Sequence, residues 1–145
     1  MRSKLIHENA GQRTFIAVLE SGDEVMACLG RLAREEKLSA AQVTAIGAFS
    51  DVVVTYFDWD KKAYEEIPVP EQVEVATLSG DIGVDDRNEP ALHIHLVLGK
   101  RDGSAVAGHL KRAHVRPTLE VVITESPAHL QRRHDPESGL NLIKL

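Results

Sequence analysis

The sequence predicts an α+β domain: a mostly antiparallel sheet with one main helix. Apolar residues recur at helical spacing in a single stretch, SGDEVMACLGRLAREEKL, where Val25, Leu29, Leu32 and Ala33 share a face and Arg31, Arg34, Glu35 and Lys37 fall largely elsewhere. Most of the remaining chain consists of β-prone runs punctuated by Gly, Pro, Asn and Asp. With 145 residues and 43% hydrophobic content, the chain fits one domain spanning 1–145.

The opening runs RSKLIHE and RTFIAVLE, separated by Asn9, Ala10 and Gly11, predict a hairpin. In the helix, Ser21 and Glu24 have the spacing of a capping box, which starts it just after Ser21, and the pattern fades near Leu38 and Ser39. Strands follow in AQVTAIGAFSDVVVTYFDWD, KAYEEIPV, QVEVATLSGDIGV, ALHIHLVLG, SAVAGHLKR and TLEVVITES. The segments GVDDRNEP and GKRDGS read as turn-rich connectors. Gly47 and Gly80 interrupt long apolar runs and predict bulges or close backbone approach. The stretch from Pro127 to Gly139, with His129, Arg132, Arg133 and His134, reads as a solvated surface, and NLIKL as a last edge strand.

Composition narrows the function. Lys and Arg total 17 against 22 Asp and Glu, so the formal charge of −5 opposes general attraction to a polyanion. The one cysteine, Cys28, lies among apolar helical residues and reads as a packed thiol in a reducing compartment. With neither an apolar signal segment nor a run of membrane-spanning length, the expected location is the cytoplasm, with no membrane partner.

The chemistry concentrates in ALHIHLVLG and SAVAGHLKR. Side chains alternate along a strand, so His93 and His95 share one face while Leu92, Ile94, Leu96 and Leu98 supply the core on the other. A hairpin around Asp102 places His95 opposite His109, and the three imidazoles can then converge. A slip of one residue would turn His109 away. Convergence gives three neutral nitrogen ligands and an open fourth position, a zinc geometry that other divalent transition metals also accept. A polar face hydrogen-bonded to its neighbours, or a subunit contact, explains the same spacing. His7, His114, His129 and His134 lack partners at ligand spacing.

In the order and spacing of the helix stretch, AIGAFSDVVVTYFD, AYEEI, EVATLSGDIG, LHIHLVLGKRDGSAVAGHL and TLEVVITE, the chain resembles the plants-and-prokaryotes-conserved (PPC) domain family in its stand-alone prokaryotic form. The resemblance implies a homotrimer and, at the positions of His93, His95 and His109, a histidine cluster that binds zinc in some members. Plant members carry an AT-hook beside the domain, and the family is often called DNA-binding for that reason; this sequence has no Arg-Gly-Arg-Pro segment.

Three functions compete. One is a trimeric, metal-binding regulatory or interaction module, contacting other proteins or, by family resemblance, DNA. In that case Lys100, Arg101, Lys111 and Arg112, with Arg116 nearby, are the candidate patch for nucleic acid or an anion; a solvated hairpin end is the plain alternative. The second is a zinc-dependent enzyme, for which Glu120 and Asp81 are the candidate general bases or histidine partners. The third is a protein binding a small anionic ligand without turnover.

Overall fold

The computed structural model describes residues 1–128 and 130–144; His129 and Leu145 lie outside the described residues. Strands β1 (Arg2–Asn9) and β2 (Gln12–Glu20) form the expected hairpin. Ala10 and Gly11 take φ of 49° and 83°, as a tight reversal of twisted strands requires.

Helix α1 (Val25–Glu35) buries Val25, Cys28, Leu29, Leu32 and Ala33, the predicted face and the predicted packed thiol. Its start corrects the capping box. Glu24 is itself the N-cap and accepts hydrogen bonds from the backbone N–H of Met26 (3.3 Å) and Ala27 (2.6 Å). Gly22 N–H donates to the Val115 carbonyl, and Val115 N–H to that of Asp23, both at 3.0 Å. That pairing holds the chain out of the helix, and the Ser21 hydroxyl donates instead to the Pro117 carbonyl. The helix also ends earlier than its apolar pattern suggests. Lys37 turns left-handed (φ 54°), and N–H groups of Lys37 and Leu38 return to the carbonyls of Arg34 and Ala33. Buried Glu125 pins the next turn, accepting from the backbone N–H of Ser39 (3.0 Å) and Ala40 (3.4 Å).

The remaining strands are β3 (Ala41–Asp58), β4 (Ala63–Val69), β5 (Val73–Val84), β6 (Pro90–Gly99), β7 (Ala105–Glu125), β8 (Gln131–His134) and β9 (Asn141–Lys144). Among the described residues they complete one nine-stranded sheet ordered β1-β2-β7-β3-β5-β8-β9, with β4 on β3 and β6 bridging β5 and β7. All pairings are antiparallel except the single parallel pair Val84–Gln131. SAVAGHLKR and TLEVVITES, read as separate runs, are one strand. The cis Arg116–Pro117 peptide falls where the β3–β7 register jumps between Phe49–Val115 and Gly47–Leu119, a place where proline's missing N–H breaks no ladder bond.

Both interrupting glycines mark close approach. A Cβ on Gly47 would stand 2.3 Å from the Thr118 carbonyl oxygen, and one on Gly80 2.2 Å from that of His93. The core holds Phe49, Leu29, Leu78, Ile94, Leu98 and Ile123, all fully buried. No helix among the described residues is long and apolar enough to cross a membrane.

Candidate metal centre

The site is built by the β6–β7 hairpin. His95 pairs directly with His109, and the loop reverses where predicted, with Asp102 accepting from the Ser104 N–H at 2.9 Å. Ile94, Leu96 and Leu98 are buried behind the histidines, and Leu92 packs partly against the same core. Two glycines let the backbones close in. Gly80 brings β5 against the His93 peptide, and Gly108 brings β7 against β3, where a Cβ would stand 2.9 Å from the Thr55 carbonyl oxygen. Buried Thr55 donates its hydroxyl to the His109 carbonyl at 3.4 Å.

His93, His95 and His109 converge so that one ring nitrogen from each lies within 4.8 Å of the others. Nε2 of His93 and Nε2 of His95 are 3.1 Å apart. Tetrahedral ligation at about 2.0–2.1 Å sets neighbouring nitrogens about 3.4 Å apart, so a small adjustment suffices to seat an ion. His109 Nδ1 is buried without a hydrogen-bond partner among the described residues, leaving a polar ring under-satisfied at the cluster. Burial, then the charges His93 and His95 would carry, then Arg132, hold the His109 imidazole down at about 4. Burial and Arg132 also lower His93, against an opposing pull from Asp81. Both rings are thus held neutral, the state that ligates metal. The donor set and its protonation fit a borderline divalent ion such as zinc.

The surroundings sort the other candidates. Asp81, on β5 opposite His93, lies 3.7 Å from His93 Nδ1. Glu120 is elsewhere, paired with Val18 and Ile46 farther along β7, and is not part of the cluster. Of the basic residues, Lys100 pairs with Glu71 at 2.6 Å and Lys111 with Glu66, while Arg101 stands exposed in the loop and Arg112 beside Glu24 and Glu66. The positive patch is therefore interleaved with carboxylates. His7 and His134 are exposed, and His114 hydrogen-bonds Asp51 at 3.0 Å.

One residue overturns the expectation of a solvated tail. Arg132 is only 7% exposed. Its Nη2 donates to both Asp81 oxygens (2.7 and 2.8 Å) and to His93 Nδ1 (3.0 Å), and its Nη1 to the Asn141 carbonyl (2.9 Å). Tyr64 is the second unforeseen neighbour, its ring 5.1 Å from that of His109. With Leu92, His93, Arg132 and Asn141 these rings line a cleft open beside the cluster.

A family model, the Plants and Prokaryotes Conserved (PCC) domain, matches residues 6–127. The chain belongs to this family. Solved structures similar to this PCC protein include a metal-containing protein from Archaeoglobus fulgidus, 30% identical with a TM-score of 0.85, covering 100% of this chain and 99% of that one. A plant- and prokaryote-conserved protein from Pyrococcus horikoshii is 27% identical (TM-score 0.85, 92% of each chain). A protein from Bacteroides thetaiotaomicron, provisionally named DNA-binding, is 25% identical (TM-score 0.85, covering 95% and 94%). No curated protein matches the sequence. Arg132 lies beyond the residues the family model matches.

Proposed function

We propose that this PCC protein is a homotrimeric, zinc-binding regulatory or interaction module whose site is His93, His95 and His109. The convergence of the three ring nitrogens is the observation that carries this reading, and the metal-containing relative supports it. A bound zinc would supply a Lewis acid with a position open to water or a small anion. The protein's own residues hold the His93 and His109 rings neutral and brace the site through Arg132, Thr55 and the glycine contacts.

A DNA-associated role follows from the provisional names of relatives alone. The net charge of −5 and the carboxylates beside Lys100 and Lys111 leave little positive surface for a duplex, so direct DNA contact is expected to be weak and to fade with added salt. Zinc-dependent catalysis is less well supported, because Asp81 is held by Arg132 and Glu120 is remote from the histidines.

Metal analysis of dialysed protein purified without a histidine tag tests the proposal. Wild type retains about one ion per protomer, and His93→Ala, His95→Ala and His109→Ala each lose most of it, since two protein ligands hold an ion poorly against water and buffer. His7→Ala, altering an exposed β1 residue, retains it. Equal metal content in wild type and His95→Ala would refute the site.

A further inference from the structure

The cleft beside the histidines has a shape and a charge that select what can enter it. It encloses about 360 Å³, at the small end of the range for ligand sites, between Tyr64 of β4 and the β8–β9 hairpin. Its lining is mainly apolar, supplied by Tyr64, Leu92, Leu140 and Leu142. Both sides are held in place. The Tyr64 ring packs against Phe57 and His109, 5.1 Å from each. Opposite it, Arg132 donates to the Asn141 carbonyl at 2.9 Å and fixes the start of β9. Lys62, in the turn before β4, reaches the Glu137 carbonyl and joins that turn to the hairpin.

Among the described residues no carboxylate lines the cleft, and Arg132 is its one cationic lining residue. Asp81 pairs with Arg132 at 2.7 Å and offsets that charge from behind. Three imidazoles bring no negative charge to a divalent ion, so an ion on His93, His95 and His109 keeps both its positive charges beside apolar walls. One negative charge at the cluster and an apolar body beyond it complement such a site. A phosphate or sulfate dianion fits it worse, because it would give up its hydration against leucines. We propose that this cleft binds a short-chain aliphatic monocarboxylate, with its head at the histidine cluster and its chain against Tyr64, Leu92, Leu140 and Leu142. The proposal rests on the metal reading above and names the class of ligand that the same site takes.

Cobalt(II)-loaded wild type, titrated at neutral pH with acetate, propionate and butyrate and followed by ligand-field absorption, tests the assignment. Each carboxylate alters the spectrum, and affinity rises about two- to fourfold per added methylene as apolar surface leaves water. Butyramide, which keeps the chain without the charge, binds about tenfold or more weakly than butyrate. Inorganic phosphate also binds more weakly than butyrate. Leu142→Ser, a change at an exposed position, lowers butyrate affinity more than acetate affinity. A cobalt spectrum that no carboxylate alters, equal affinities for acetate and butyrate, butyramide or phosphate binding as tightly as butyrate, or an unchanged series in Leu142→Ser overturns the carboxylate site and leaves the metal centre standing. Failure of the wild type to take up cobalt overturns both.

Discussion

His109 shows how one residue's surroundings become a property of the whole fold. Its imidazole titrates at about 4 in the folded protein against an ordinary value of 6.5, mainly because burial penalises the cation. Between these values the unfolded chain binds a proton that the folded chain refuses. Stability is therefore complete above about pH 6.5, declines as the pH falls and levels off near 4. The slope approaches at most about 1.4 kcal/mol per pH unit for one such group, and His93 shifts in the same direction. Urea unfolding of chelator-treated protein between pH 7 and 4.5 should show the decline, and His109→Asn should flatten it. A midpoint that does not move over this range would contradict the burial argument. The three histidines were legible in the sequence because period-two alternation and a short loop fix which face each occupies. Arg132 was not legible: its partners Asp81 and His93 are distant in the chain, and a polar, arginine-bearing segment has the composition of solvated surface.

At the scale of elements, two glycines make opposite predictions. Gly80→Ala drives a methyl group into the His93 carbonyl and the Ile94 backbone, so β5 and β6 must separate. A loss of about 1–3 kcal/mol is expected, as for overpacking generally, together with weakened metal binding as His93 shifts. Gly30 lies inside α1, where the nearest obstacle to a Cβ is the flexible Arg34 side chain at 3.5 Å. Gly30→Ala should stabilise by about 0.5–1 kcal/mol through reduced backbone freedom in the unfolded chain. Thermal or urea unfolding of the two variants decides it, and stabilisation by both would show that β5 and β6 do not press together as described. The strands and the helix were readable from periodicity, but two boundaries were not. The helix start depends on long-range pairing of Gly22 and Asp23 with Val115, and the unity of β7 on a register jump that accommodates Pro117. Neither is visible in a local window.

For the whole molecule, the surface bears on assembly. Ile46 (62% exposed), Tyr56 (66%) and Trp59 (54%) present large apolar side chains from β3 and the turn after it. Strand β1 pairs with β2 and leaves its other edge open among the described residues. Covering such features by self-association avoids open-ended pairing. Sedimentation at micromolar concentration is expected to give about three times the chain mass of 15.9 kDa. A particle of 15.9 kDa would refute the trimer.

Strand β7 carries a consequence for synthesis. It lies between β2 and β3 and also takes the end of β6, so partners from the first half of the chain are joined through residues 105–125. Until that segment leaves the ribosome, β2 and β3 have no shared neighbour, and the hydrogen-bonding edges meant for β7 stand bare. The nascent protein therefore cannot close its sheet in stages, and most of the chain must be present before its central strand can bring the halves together.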